Sequence, residues 1–184
     1  MAVLSEEQTM LRDMAREWTT NESPVTAFRK FRDLAPACGY DANAFKTMAE
    51  MGWAGIVIPE KFGGSDFGWL SLGLVLEETA KTLTASPLAS SALAASALVL
   101  GGSDAAKTAW LPKLASGEVV GTLAIDEGPR HNPAAIATTA TKAGDSWTLN
   151  GTKAFVHEAH GAALFIVAAQ TEGGVGVFAV PADA

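Results

Sequence analysis

Near Val119 the sequence changes period, and that change limits the fold more than any other feature. Before it, apolar residues recur every three or four positions, as the buried stripe of a helix requires. After it, short apolar runs alternate with turn residues, as half-buried strands and hairpins require. A chain that keeps helices and strands apart in this way is α+β, not a doubly wound α/β sheet. The expected fold is an all-α N-terminal helical domain over 1–117, followed by an antiparallel β domain, a partial barrel or sandwich, over 118–184.

Helix ends are written into the first region. Ser5 with Gln8 makes a capping box, and Glu6 and Glu7 suit the positive end of the helix dipole. Leu11, Met14, Ala15 and Trp18 follow at core spacing. A second helix is expected from Pro24 towards Leu34 and a third from Ala42 to Met51, where Gly52 can close it in a left-handed conformation. GWAGIVIPEKFGG is apolar and broken by Gly and Pro, so it reads as a buried connector and turn in which Glu60 need do no chemistry. Helices resume in FGWLSLGLVLEETAKTL. Ser86 and Pro87 then open another as cap and first-turn proline, Gly101 and Gly102 end it, and Ser103 caps the last. Beyond Val119, the runs VVGTLAI, AIATTA, SWTLNG, ALFIVAAQ and GVGVFAV read as strands. So few strands leave open edges, to be covered by another chain or by more of a longer protein.

Charge and composition exclude several functions. A formal net charge of −7 argues against nucleic acid, because a phosphate backbone rewards a basic surface. PLASSALAASALVLGG is shorter than the roughly 20 apolar residues of a membrane span, so no span is expected. MAVLSEEQ lacks the basic and apolar regions of a signal peptide. The single cysteine, Cys38, is expected to be a small buried residue in a reducing, cytoplasmic protein. His157 and His160 are too few for a metal site, and no metal is expected.

Four motifs occur in order over about residues 4–180: MAEMGWAGIVIPEKFGG, LVLEETAKTLTASPLA, GGSDAAKTAWLPKLASGEVVGTLAIDE and SWTLNGTKAFV. Together they resemble acyl-CoA dehydrogenases, whose α-helical N-terminal domain and middle β domain precede a C-terminal helical bundle. The resemblance implies the first domain and part of the second here. It implies FAD as cofactor, an acyl-CoA substrate, an electron-transfer acceptor protein, and homo- or hetero-oligomers of related subunits. The expected reaction removes an α-proton by a carboxylate and passes the β-hydride to FAD. The carboxylate of the family's C-terminal bundle has no match in this chain, so the chain by itself is expected to be inactive and no catalytic residue is assigned. The alternative is a non-catalytic subunit of a hetero-oligomer with a degraded flavin site.

The resemblance also places candidate residues. GTLAIDE corresponds to the strand that holds the flavin edge, so backbone groups of Leu123 and Ile125 are candidate contacts. Asp126 stands at a threonine of the family and Glu127 at its glutamate, with one residue deleted before Asn132; the register one residue over stays open. A carboxylate at Asp126 would oppose the negative charge that reduction places on a flavin. A solvated turn is an equal reading of Asp126 and Glu127. Phe155, Val156 and His157 stand where the family has Trp-Ile-Thr beside the flavin; core packing of Phe155 and a structural hydrogen bond of His157 are the plainer readings. Arg130 and His131 are candidates for a CoA or FAD phosphate, or residues of a surface loop. Glu77 and Glu78 read as helix-surface or subunit-contact residues.

Overall fold

The computed structural model describes residues 3–184. Met1 and Ala2, on which part of the signal-peptide reading falls, lie outside the described residues. Six α-helices come first: α1 Glu6–Asn21, α2 Val25–Leu34, α3 Ala42–Glu50, α4 Gly68–Lys81, α5 Leu88–Gly101 and α6 Asp104–Ala115. Five strands follow: β1 Gly121–Ala124, β2 Thr139–Ala143, β3 Ser146–Asn150, β4 Leu164–Thr171 and β5 Gly174–Pro181.

The local signals act as chemistry demands. Ser5 Oγ accepts from the Gln8 amide while the Gln8 side chain accepts from the Ser5 amide, so both halves of the capping box form. Gly52 takes φ 80°, the left-handed turn past α3. Pro87 sits at the cap rather than in the first turn, and Ser86 Oγ accepts from the Leu88 amide. The connector turns so tightly that a Cβ on Gly64 would lie 1.9 Å from the Ile58 carbonyl oxygen.

The sheet is mixed. β2–β3 and β4–β5 are the expected antiparallel hairpins, but β4 runs parallel to β1 across Leu164–Val167 and meets β2 in parallel at one pair, Thr139 with Gln170. The β2–β3 hairpin lies between β1 and β4 in sequence and supplies the long connection that a parallel return needs. The second strand begins at Thr139, later than AIATTA suggests, because Glu127 holds the Ala137 and Thr138 amides that a ladder would otherwise use. Among the described residues β1 and β5 pair only with β4 and β3 only with β2, so each of the three has an unpaired edge.

Helices and sheet pack together around two apolar clusters. Trp53, Met48, Phe45, Leu72, Val75 and Leu88 pack with Val120 and Ala162, while Leu111, Leu114 and Leu98 close over Leu164 and Ile166 of β4. Three expectations fail against this interior. Glu78 is not on the surface: its side chain is 2% exposed and accepts from Arg16 at 3.0 Å and Lys81 at 2.9 Å. Those hydrogen bonds outweigh the desolvation that would raise its pKa, and the carboxyl titrates below its ordinary value. Met14, expected at core spacing, stands about half exposed, and so does Trp69 of α4. Cys38 is only partly buried and donates to the Tyr40 carbonyl at 3.1 Å. No helix of the described residues is long and apolar enough to cross a membrane.

Candidate functional site

Among the described residues β1 pairs on one side only. Val120 O, facing β4, accepts from the Ala163 and Leu164 amides, while the Gly121 amide points the other way, to Ser91 Oγ. Strand alternation then turns the backbone groups of Leu123 and Ile125 to the edge away from β4. The Leu123 side chain packs against the core between α5, α6 and β4. Leu123 therefore offers its backbone polar groups along that edge, and Ile125 its amide, the Ile125 carbonyl being taken by Lys153.

The segment after β3 lies against the end of this strand. Lys153, 9% exposed, donates from Nζ to Ile125 O at 3.0 Å and to Glu127 Oε1 at 2.7 Å. The Ala154 amide donates to Asp126 O at 2.8 Å. Thr122 Oγ1 donates to His157 O at 2.7 Å. Glu127 also accepts from Thr138 Oγ1 at 2.6 Å and from the amides of Thr138 and Ala137 at 2.9 and 2.7 Å. The solvated-turn reading of Glu127 is thus overturned: the carboxylate is the centre of a polar network.

Between these anchors Phe155 is displayed. Its backbone is left-handed, φ 53°, and the residue is 73% exposed, so core packing does not hold it. A non-glycine residue in that region costs roughly 1 kcal/mol or more and persists where its surroundings over-determine it. Val156 is half-buried. His157 uses its carbonyl, not its ring, in the structural bond to Thr122, and the imidazole is exposed.

Asp126 and His131 come together at the start of the next loop. His131 Nδ1 lies 3.0 and 3.2 Å from the two carboxylate oxygens of Asp126. Arg130 is exposed on a shallow hollow of about 390 Å³ lined also by Glu127, Gly128, Pro129 and Asn132. The structure so gathers Leu123, Ile125, Asp126, Phe155, Val156 and His157 at one strand end, with Arg130 and His131 beside them. Two residues that sequence reasoning left without a role, Lys153 and Thr138, complete the network. Lys153 stands in the NGTK motif, which marks it; nothing local marks Thr138. Among the described residues no cluster of His, Cys, Asp or Glu suits a metal ion.

The hydrogen bond from Lys153, then those from the Thr138 side chain and the Ala137 and Thr138 amides, hold the Glu127 carboxyl at about 2 against an ordinary 4.5. A depressed carboxyl stabilises the fold fully above the unfolded pKa and loses that contribution as pH falls through the folded one. Acid unfolding should therefore show a Glu127-dependent fall in stability between pH 4.5 and about 2. Glu127→Gln should flatten the slope there by up to one proton. An unchanged slope in a denaturant-by-pH series would remove Glu127 from the network.

The chain is similar to known proteins over nearly its whole length. The acyl-CoA dehydrogenase N-terminal domain profile matches residues 5–118, and that of the middle domain matches 124–184. Glutaryl-CoA dehydrogenase of Desulfococcus multivorans is 34% identical over 94% of this chain and 45% of its own length. A variant of the Tcur3481-Tcur3483 steroid ACAD superposes with a TM-score of 0.87 at 32% identity, over 97% of this chain and 48% of the other. The ChsE4-ChsE5 complex from Mycobacterium tuberculosis superposes with a TM-score of 0.86 at 26% identity, over 99% of this chain and 49% of the other. The chain spans half or less of the length of the curated relatives it matches. Two family domains matched end to end, on a fold that those structures share, settle the family: the chain belongs to the acyl-CoA dehydrogenases.

Proposed function

We propose that the chain is the flavin-facing part of an enzyme that desaturates an acyl-CoA thioester between its α and β carbons, passing the hydride to FAD. The observation that carries this reading is the open edge of β1 beside an aromatic side chain held out in a left-handed conformation. These features fit a flat, polar-edged ring system: Leu123 and Ile125 supply backbone groups, Asp126 ends the edge, and Phe155, Val156 and His157 flank it. When bound there, FAD supplies the two-electron hydride acceptor. Arg130 and His131 stand on the loop that would meet a phosphate of CoA or of the cofactor. None of the gathered side chains is assigned the α-proton, so the base belongs to a segment or subunit outside residues 3–184, and the chain by itself is inactive. An electron-transfer protein reoxidises the enzyme, and a cytoplasmic setting belongs to the same proposal.

A second reading has its own support. The Asp126–His131 pair puts a carboxylate where the family resemblance expects a hydroxyl, and Trp69, Leu70, Leu93 and Leu100 expose large apolar surface on α4 and α5. Together with the likeness to a chain of the ChsE4-ChsE5 complex, this favours a non-catalytic subunit whose partner holds the flavin. The visible absorbance spectrum of the protein purified with its natural partners separates the two. One FAD per copy of this chain is expected. Flavin only at the partner's stoichiometry establishes the second reading, and none at all sinks the flavoprotein proposal.

A further inference from the structure

Lys153 does more than its motif discloses. Its ammonium and the Glu127 carboxylate join three separate segments: the end of β1 at Ile125, the approach to β2 at Ala137 and Thr138, and the loop after β3. The first and third of these carry the gathered residues of the open edge. The loop is fixed at Lys153, at Ala154 by Asp126 O, and at His157 by Thr122, with the strained, exposed Phe155 between the fixed points. Stability alone is a poor reason for the pair. A charge pair that is 9% and 17% exposed has lost much of its water, and hydrophobic residues in its place are often as stable. What a lysine adds over a hydrophobic residue is a fixed distance to a strand-end carbonyl.

We infer that Lys153, through Ile125 O and Glu127, is a positioning residue that sets the spacing between the β1 edge and the Phe155 ring for the cofactor. The inference rests on the flavin reading above. It assigns Lys153 no contact with substrate or FAD, and it makes the distance between two elements, rather than either element, the determinant of cofactor affinity.

A double substitution separates positioning from stability. Lys153→Met alone leaves the half-buried Glu127 carboxylate without its cation, so it should lower both the melting temperature and FAD affinity. Adding Glu127→Leu removes the stranded charge. In the E127L/K153M protein the melting temperature should return towards that of the unmutated protein, while FAD affinity, read by quenching of FAD fluorescence in the assembly with its natural partners, stays at least tenfold weaker. The inference is overturned if the double variant recovers both properties, or if Lys153→Met binds FAD as well as the unmutated protein does. Should Lys153→Met fail to fold, the double variant is read by itself against the same tenfold mark. Hydrogen exchange without added FAD gives a second readout: in the double variant Ala154, Ala137 and Thr138 should exchange faster while α5 keeps its protection, and unchanged exchange at all three also overturns the inference. If the unmutated assembly binds no FAD, the flavin reading itself has failed and this inference with it. Binding unaffected by either substitution removes the inference and leaves that reading standing.

Discussion

Trp53→Ala is expected to lower the melting temperature by roughly 10 °C or more, because it empties the site of the largest fully buried side chain among the described residues. Trp53 is 1% exposed and meets Trp18 edge to face, with centroids 5.5 Å apart, amid Ala15, Met48, Leu72 and Val75. Cutting a buried tryptophan to alanine removes its transfer free energy and leaves a cavity, a loss of about 3–5 kcal/mol. Each kcal/mol lowers the melting temperature by about 2–4 °C in a chain of 150–250 residues. Since native stability is only about 5–15 kcal/mol, the variant should sit near the edge of folding. Trp53→Phe isolates the cause. The Trp53 Nε1–H has no hydrogen-bond partner among the described residues, so phenylalanine loses volume but no hydrogen bond and should cost well under half as much. Thermal melts of the two variants check this; a fall below about 3 °C for Trp53→Ala would show that the Trp18–Trp53 contact is not the centre of the helical core.

The fold was legible where one local rule decided the outcome. The capping box at Ser5, the left-handed close at Gly52 and the cap at Ser103 each depend on a few neighbouring atoms, and each forms. The parallel pairing of β1 with β4 depends on where a long connection returns, which no local pattern encodes. Exposure misled for the same reason. Glu78 has the polarity of a surface residue, yet Arg16, sixty-two positions away on α1, makes its burial tolerable. Met14 and Trp69 have core polarity and spacing but face outward, so one face of their helices has no cover among the described residues. Of the candidate site, the motifs pointed to a strand end and a loop that the structure brings together. They could not reveal that Glu127 reaches Thr138 and Lys153, because a hydrogen-bond network across three segments exists only once the chain has folded. Phe155 is the clearest case. An aromatic beside apolar neighbours reads as core by composition, and only its backbone conformation and exposure mark it as displayed.

If FAD lies at the β1 edge as proposed, Asp126→Thr should raise its two-electron midpoint potential by roughly 30 mV, and His131→Ala should lower it. Two unit charges about 4 Å apart interact by about 4 kcal/mol at the effective dielectric of a protein surface. Asp126 is 26% exposed and His131 Nδ1 lies 3.0 Å from it, so water and the imidazole offset most of that. A residual of about 1.4 kcal/mol corresponds to roughly 30 mV for a two-electron couple. Reduction adds negative charge to the cofactor, so replacing the carboxylate by a hydroxyl favours the reduced form. Removing the imidazole leaves the carboxylate less shielded and favours the oxidised form. The opposite signs give the test its force, since a general loosening of the loop would move both variants the same way. Spectroscopic redox titration of the FAD-loaded assembly at constant pH measures both. Shifts of the same sign, or both under about 10 mV, would mean that the Asp126 carboxylate does not face the cofactor. The Asp126–His131 pair would then be a loop fastening, and the electronics of the site would rest on Phe155 and the strand edge alone.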